Sequence, residues 1–398
     1  MKRRIFMALI IVALIFFDDF YTVFADGENG KNGAQSEAIA SLEDNISQIT
    51  ESMDFGEMEK FIDDISGFTD EKLSVKDVVY KFVRGESVVE YQTVFKYVGS
   101  LLFAEVKSRL PALLSLFSVL LLCSLLGCLN TERLGSGVGE IVHFVGYAAI
   151  VTTVTALCYS LVSSALSAVD KVSSVVQAVF PALLALMIST GATAQAALYS
   201  PTALFIDGFT TIFIKNFTFP CVLAMLALSV VSNITKTVKL KGFIDFLSGI
   251  MKWGIGLAAT VFSLFLTVKG ISGGLADGVT VRTLKYALNS SVPLVGGILS
   301  GGADVVVAAA SLVRSALGLT TLVIVFGVVL MPVIKIAALT LALRVVNAVA
   351  QPFSSDRVYS FITSAVSVLH HALAGLLLAT LMYVVTIIMI VLSVQAVF

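Results

Sequence analysis

Apolar residues in this chain follow two patterns, and the change from one to the other falls near Arg109. Ahead of it, Met53, Phe55, Met58, Phe61, Ile62 and Ile65, then Val78, Val79, Phe82, Val83, Val88, Val89 and Tyr91, recur at helical spacing among acidic residues. That period predicts amphipathic helices. Beyond Arg109 the apolar positions run almost unbroken at 110–128, 141–161, 175–188, 203–214, 217–231, 250–268, 319–343 and 372–398, which reads as a series of membrane-crossing helices. The stretch 203–214 is short and holds Asp207, so with the residues after Asn216 it is expected as a hairpin or re-entrant pair. The expected fold is all-α: a polytopic transmembrane bundle of about six to eight spans behind a short N-terminal extracytoplasmic helical segment.

The first residues have their own pattern. Lys2, Arg3 and Arg4 precede an apolar run at 5–17, and Val23, Phe24 and Ala25 supply small residues where a signal peptidase reads. Residues 1–25 are expected to be a signal peptide, cleaved after Ala25 rather than kept as an anchor, because the apolar run is shorter than the roughly 20 residues a bilayer core requires. Residues 26–41 are polar or small and read as a flexible arm. The whole piece at 26–109 is too small for a large core of its own and is expected to lean on the membrane body or on a partner.

Composition sharpens this division. The chain is 57% hydrophobic and 13% charged, which a water-soluble protein could not cover. Net charge is -1, which suits neither a nucleic-acid binder nor a basic membrane-surface protein. Of 27 acidic residues, about 17 lie between Asp26 and Arg109 against about 9 basic ones. The cluster Lys236, Lys239 and Lys241 marks a cytoplasmic loop, and counting spans from an external 26–109 places that loop inside. Arg344 and Arg357 fall on the same side. Cys123, Cys128, Cys158 and Cys221 lie in apolar runs with no zinc or redox spacing and read as small packing residues.

Between 269 and 318 the texture changes again. Nine glycines interrupt moderately apolar residues that include Asp277, Arg282, Lys285, Asp304 and Arg314. The strings ISGGLADGV at 271–279 and LSGGADVVV at 299–307 each set a glycine pair before an aspartate. Glycine permits unwound backbone and aspartate can cap a helix start, so two capped helices are expected. Arg282, Lys285 and Asn289 share a face of the first. Asp304, Ser311 and Arg314 form a similar stripe on the second. Three readings stay open: interfacial amphipathic helices with snorkelling cations, a discontinuous-helix site or pore lining, and a protein-docking surface.

No phosphate-binding loop, HExxH pair or CxxC motif occurs, so the chain is expected not to be an enzyme, to hold no cofactor or metal, and neither to bind nor to hydrolyse ATP. His143, His370 and His371 fit interfacial or packing positions.

Asp277-Gly278-Val279-Thr280-Val281-Arg282-Thr283 followed by Lys285, then Pro293, Gly296 and Asp304, resembles the glycine-rich heart of the stage III sporulation protein AE family. PALLAL at 181–186, Ser200-Pro201 and Gln351-Pro352 carry the similarity along the chain. It is strongest from about 181 to 352 and weak over 26–109. The resemblance implies an integral component of the mother cell-forespore channel or secretion-like complex required for late forespore gene expression. It also implies residence in the mother-cell-derived outer forespore membrane, with residues 26–109 in the intermembrane space. The implied partners are proteins of the same operon, including ring-forming subunits and a secretion-type ATPase, a forespore membrane protein, and membrane lipid. Export-gate or permease-like action, a non-conducting scaffold and an autonomous secondary transporter remain alternatives. The residues expected to carry function are Asp277, Gly278, Arg282, Lys285, Pro293, Gly296, Asp304 and Arg314. The resulting division is a signal at 1–25, the acidic segment at 26–109, membrane helices at 110–268, the glycine-rich segment at 269–318 and membrane helices at 319–398.

Overall fold

The computed structural model describes residues 34–53, 55–62, 74–84, 91–129, 136–234, 240–291, 296–351 and 356–392, and the expected signal peptide, most of the lysine cluster and Pro293 lie outside them. Every described element is helical. Three short helices come first: α1 (Ala34–Ser52), α2 (Gly56–Glu59) and α3 (Val75–Val83). Helix α1 begins inside the stretch expected as a flexible arm; the run SEAIASLED supplies the Ala, Leu and Glu that favour helix. Helix α3 starts at a capping box. Ser74 Oγ accepts from the Asp77 amide, and Asp77 Oδ2 accepts from the Ser74 amide at 2.9 Å and hydroxyl at 2.8 Å. Val75, Val78 and Val79 are fully buried, and α1 and α3 both pack on the membrane body.

The body comprises α4 (Tyr91–Leu129), α5 (Ser136–Ser189), α6 (Thr193–Thr210) running without a break through a π-helical segment (Thr211–Thr218) into α7 (Phe219–Ile234), then α8 (Lys241–Ser291), α9 (Gly296–Ala350) and α10 (Asp356–Leu392). Among the described residues, five helices are long and apolar enough to cross a membrane: Phe144–Ser189, Phe205–Ser232, Lys241–Phe265, Val305–Val349 and Arg357–Leu392. Helix α4, which carries the apolar stretch 110–128, adds a sixth candidate. Helices α5, α9 and α10 pack on one another and form the centre, α4 lies against α5 and α9, and α7 and α8 flank α10. At about 1.5 Å per residue, α9 with 55 residues is on the order of 80 Å long, against a hydrocarbon core of about 30 Å.

Fewer, longer helices replace the expected spans. The stretches 141–161 and 175–188 belong to one helix, because the polar residues between them do not break it: Asp170, Ser173 and Gln177 sit at i, i+3 and i+7 and share one face. The stretches 203–214 and 217–231 are likewise one helix with a wide turn inside it, not a hairpin or re-entrant pair. In the glycine-rich region α8 continues through Gly270, Gly273, Gly274 and Asp277 to Ser291, so Asp277 does not cap a helix. Asp304 lies well inside α9. Glycine allows an unwound backbone but does not impose one, and in an apolar setting the intrahelical hydrogen bonds prevail.

The break that does occur is at Gly191, whose φ of 81° is the positive value recorded among the described residues. Its amide donates to the Ile188 carbonyl and the Ala192 amide to that of Met187, both at 3.0 Å, a Schellman close in which an added Cβ would be strained. This tight reversal folds α5 and α6 into an antiparallel pair. Residues about equally far from Gly191 along the two arms then face each other, Ser173 and Asp207 among them.

Candidate functional site

Asp207 is the centre of a polar cluster assembled from three helices of an otherwise apolar bundle. Its Oδ1 accepts from the Ser173 hydroxyl of α5 at 2.5 Å and from the Tyr383 hydroxyl of α10 at 3.0 Å. Gln177, one turn beyond Ser173, donates Nε2 to the Ser173 oxygen at 3.1 Å. Thr210 is buried one turn along from Asp207. On the exposed side Lys215 of the π segment makes an ion pair with Asp170 of α5.

The π segment makes this second pairing possible. In an uninterrupted α-helix, eight residues would carry Lys215 about 80° around the axis from Asp207. From Thr211 the helix widens to about 4.4 residues per turn, which takes up most of that angle and leaves the two side chains within about 10° of one face. That face meets the Asp170–Ser173–Gln177 stripe of α5. The widened turn is held locally: the Thr218 hydroxyl donates to the Phe213 carbonyl five residues back at 3.0 Å. It is accommodated by glycines on both neighbours. A Cβ at Gly375 of α10 would lie 2.9 Å from Thr218 Cγ2, and one at Gly254 of α8 would lie 3.1 Å and 3.2 Å from the Phe213 and Phe217 rings. Side-chain-free positions let the backbones approach.

The opposite face of the same helix is aromatic. Phe205, Phe209, Phe213 and Phe217 follow one another at four-residue spacing with ring centroids 6.0, 5.9 and 5.3 Å apart, and Phe205 stacks on Phe265 of α8 at 4.6 Å. This ladder fixes α6 and the π segment against α8, so the polar face is presented to α5 and α10.

A second polar group lies where α8, α9 and α10 meet. His370 and His371 each place Nδ1 on a carbonyl four residues back, Val366 at 2.6 Å and Ser367 at 2.7 Å. Carbonyls only accept, so Nδ1 carries the proton in both rings. Nε2 of His371 therefore accepts from Ser248 at 3.1 Å, and Nε2 of His370 from Arg344 at 3.0 Å. His371 is buried and His370 is half-buried, each tied to its own helix and to a neighbouring one.

Of the residues singled out in the sequence, Asp277, Gly278, Arg282 and Lys285 fall on α8, Gly296 opens α9, and Asp304 and Arg314 follow on α9. The side chains of the first six, and Pro293 altogether, lie outside the described set. Arg314 is fully buried, and Nε, Nη1 and Nη2 have no hydrogen-bond partner among the described residues. Sequence reasoning passed over Asp170, Ser173, Gln177, Lys215 and Tyr383. The available signal was a polar stripe at i, i+3 and i+7 in an apolar run, together with the isolated Asp207.

The stage III sporulation protein AE family model matches residues 73–394. Stage III sporulation protein AE of Bacillus subtilis (strain 168) is 25% identical over 310 residues, which is 78% of this chain and 78% of that one. No solved structure matches this one.

Proposed function

The chain belongs to the stage III sporulation protein AE family, and we propose that it acts as the export-gate or permease-like membrane component of a mother cell-forespore complex. The observation that carries this reading is the Asp207 cluster. A carboxylate at membrane depth, held by hydroxyls from two other helices beside a Lys215–Asp170 pair, is unfavourable as mere packing and characteristic of translocation paths. Driving energy then comes from a separate ATPase of the same operon, since this chain lacks a phosphate loop. Ring-forming subunits and a forespore membrane protein complete the assembly across the intermembrane space. In the proposed orientation residues 26–109 face that space and the lysine loop faces the mother-cell cytoplasm. Three crossings, by α4, α5 and α6–α7, separate them, an odd number that puts the basic residues inside.

A non-conducting scaffold is the second reading, supported by the close helix approaches at Gly254, Gly318 and Gly375. Asp207→Asn separates the two, because it keeps the shape and the hydrogen-bonding oxygen while removing the charge. A gate or permease predicts normal abundance, normal co-purification of operon partners and loss of spore formation. Normal spore yield from Asp207→Asn would favour the scaffold, and loss of partners from wild-type purifications would sink both.

A further inference from the structure

We propose that Arg314 is the receptor for an oxyanion, a phosphate or carboxylate group that none of the described residues supplies. Several other charged side chains of the bundle have a partner in view. Asp207 has Ser173 and Tyr383, Lys215 has Asp170, Arg344 has His370, and Arg109 has Glu105. Arg314 is the most enclosed of them, with none of its surface exposed, and all three of its guanidinium nitrogens lack an acceptor among the described residues. Around it on its own helix are Ala310, Val313 and Leu317, equally buried and apolar. A guanidinium is permanently charged and presents five donors in a planar fork. In such surroundings it is retained only with a counter-charge, and the fork matches the paired oxygens of a carboxylate or phosphate.

The place in the fold argues for a counter-charge from outside. A Cβ on Gly318 would lie 2.2 Å from Val391 Cγ2, so α9 and α10 touch one turn beyond Arg314, close to the end of α10 at Leu392. Arg314 therefore lies past the described part of α10, on the helix against which the N-terminal helices α1 and α3 also pack. Among the described carboxylates of the three N-terminal helices, Glu59 accepts from the Val75 amide, Asp77 closes the capping box, Glu57 pairs with Lys60 and Asp44 accepts from Gln48, while Glu43 and Glu51 are exposed at the surface. The cluster around Asp207 has its own donors and lies further along α10, around Tyr383. Binding of an oxyanion at Arg314 is a use of α9 that the permease reading does not require.

The test uses the full-length chain, purified and reconstituted with zwitterionic lipid in chloride buffer, and reads its thermal midpoint. Inorganic phosphate is expected to raise the wild-type midpoint saturably, to have no such effect on Arg314→Met, and to require roughly tenfold more for Arg314→Lys. In chloride alone Arg314→Met is expected to be as stable as wild type or more so, because it removes an unpaired charge. A wild-type rise produced by anionic phospholipid but not by free phosphate, and absent in Arg314→Met, would support the site with a lipid headgroup as the source. Equal effects of phosphate on wild type and Arg314→Met would be general salt exclusion and would overturn the proposal. So would a wild type that neither phosphate, acetate nor anionic lipid moves, an outcome that decides the matter even if Arg314→Met fails to fold.

Discussion

Asp207 and Arg314 are both single charges drawn into an apolar helical bundle, yet the protein treats them in opposite ways. Around Asp207 three helices converge to satisfy it: Ser173 and Tyr383 donate to one carboxylate oxygen, and Gln177 steadies Ser173. Around Arg314 alanine, valine and leucine close in, and no acceptor among the described residues reaches it. A satisfied buried charge is a finished piece of structure whose removal leaves its donors stranded. An unsatisfied one is unfinished, and its removal relieves the fold. The two sites should therefore respond to neutralisation with opposite signs.

The largest effect is expected from the wall beside Arg314. Gly318→Val would force a branched side chain into Val391, whose Cγ2 lies 2.2 Å from even a first carbon, and should reduce unfolding stability in detergent by about 3 kcal/mol. Gly256, with nothing within 4 Å of a new Cβ, should accept alanine with a gain of at most about 1 kcal/mol from helix propensity. A cycle of Gly318→Ala with Val391→Ala should show coupling above about 0.5 kcal/mol. Additive effects would mean that α9 and α10 readjust freely here, and that the enclosure of Arg314 is soft.

How much of this could be read from the sequence differs between the two sites. Arg314 was visible as a charge in an apolar run, but not its isolation, because burial and the lack of acceptors are properties of packing. Asp207 was visible too, and its charge counted against a membrane-crossing helix at 203–214. What reversed that was a set of partners 34 and 176 residues away in the chain. The all-α architecture followed from the apolar runs, whereas the number of separate helices did not. Ser163, Ser164 and Ser167, together with Asp170 and Lys171, look like a linker until their placement on α5 is known, and the glycines at 270–278 look like a break although the backbone stays helical through them. The π segment left no mark in the sequence, since it concerns which carbonyl each amide chooses.

Next in size is Asp207→Ala, which strands the Tyr383 hydroxyl and should lower stability by about 1–3 kcal/mol in the same unfolding assay. Asp207→Asn retains an acceptor and should stay within about 1 kcal/mol of wild type. Set beside Arg314→Met, expected to be neutral or stabilising in chloride, the alanine variant completes the contrast. If both neutralisations destabilised equally, Arg314 would be as well served by its surroundings as Asp207, and the distinction would fail.

A smaller effect belongs to a carboxylate that water reaches. Asp77 is held below the ordinary value of 3.8, first by the Ser74 amide and then by the Ser74 hydroxyl, with Lys81 adding to the shift. A depressed carboxylate pKa contributes stability that is fully present above the unfolded value and is lost as pH falls through the folded one. Protection of the α3 amides from hydrogen exchange should therefore weaken on acidification below about pH 4, and Asp77→Asn should abolish that dependence. Ser74→Ala, which removes the side-chain cap but leaves the backbone bond, should reduce it and destabilise α3 by about 1 kcal/mol. A Ser74→Ala chain with unchanged exchange would mean that packing of Val75, Val78 and Val79 alone sets the local stability.

The smallest stability change is expected at Lys215, although it stands beside the cluster that the proposed function relies on. Asp170 has 54% of its side-chain surface exposed and Lys215 has 23%, so solvent screens the pair, and exposed pairs of this kind contribute about 0–1 kcal/mol. A double-mutant cycle of Lys215→Gln with Asp170→Asn should give a coupling of about 0.5 kcal/mol that shrinks as salt is raised. Position is a separate matter. The π turn aims Lys215 at the stripe on α5, and deleting Asn216 to restore a regular α-helical register would swing Lys215 to about 80° from Asp207 while turning Phe217 and Thr218 by only about 10–30°. Thr218 and Phe217 would then stay close to Gly375 and Gly254, the two glycines that accommodate the widened turn. The deletion should therefore keep an abundance close to that of Lys215→Gln while abolishing the coupling between Lys215 and Asp170. A coupling that survives the deletion would show that the widened turn is incidental to the alignment of Lys215 and Asp207 on one face.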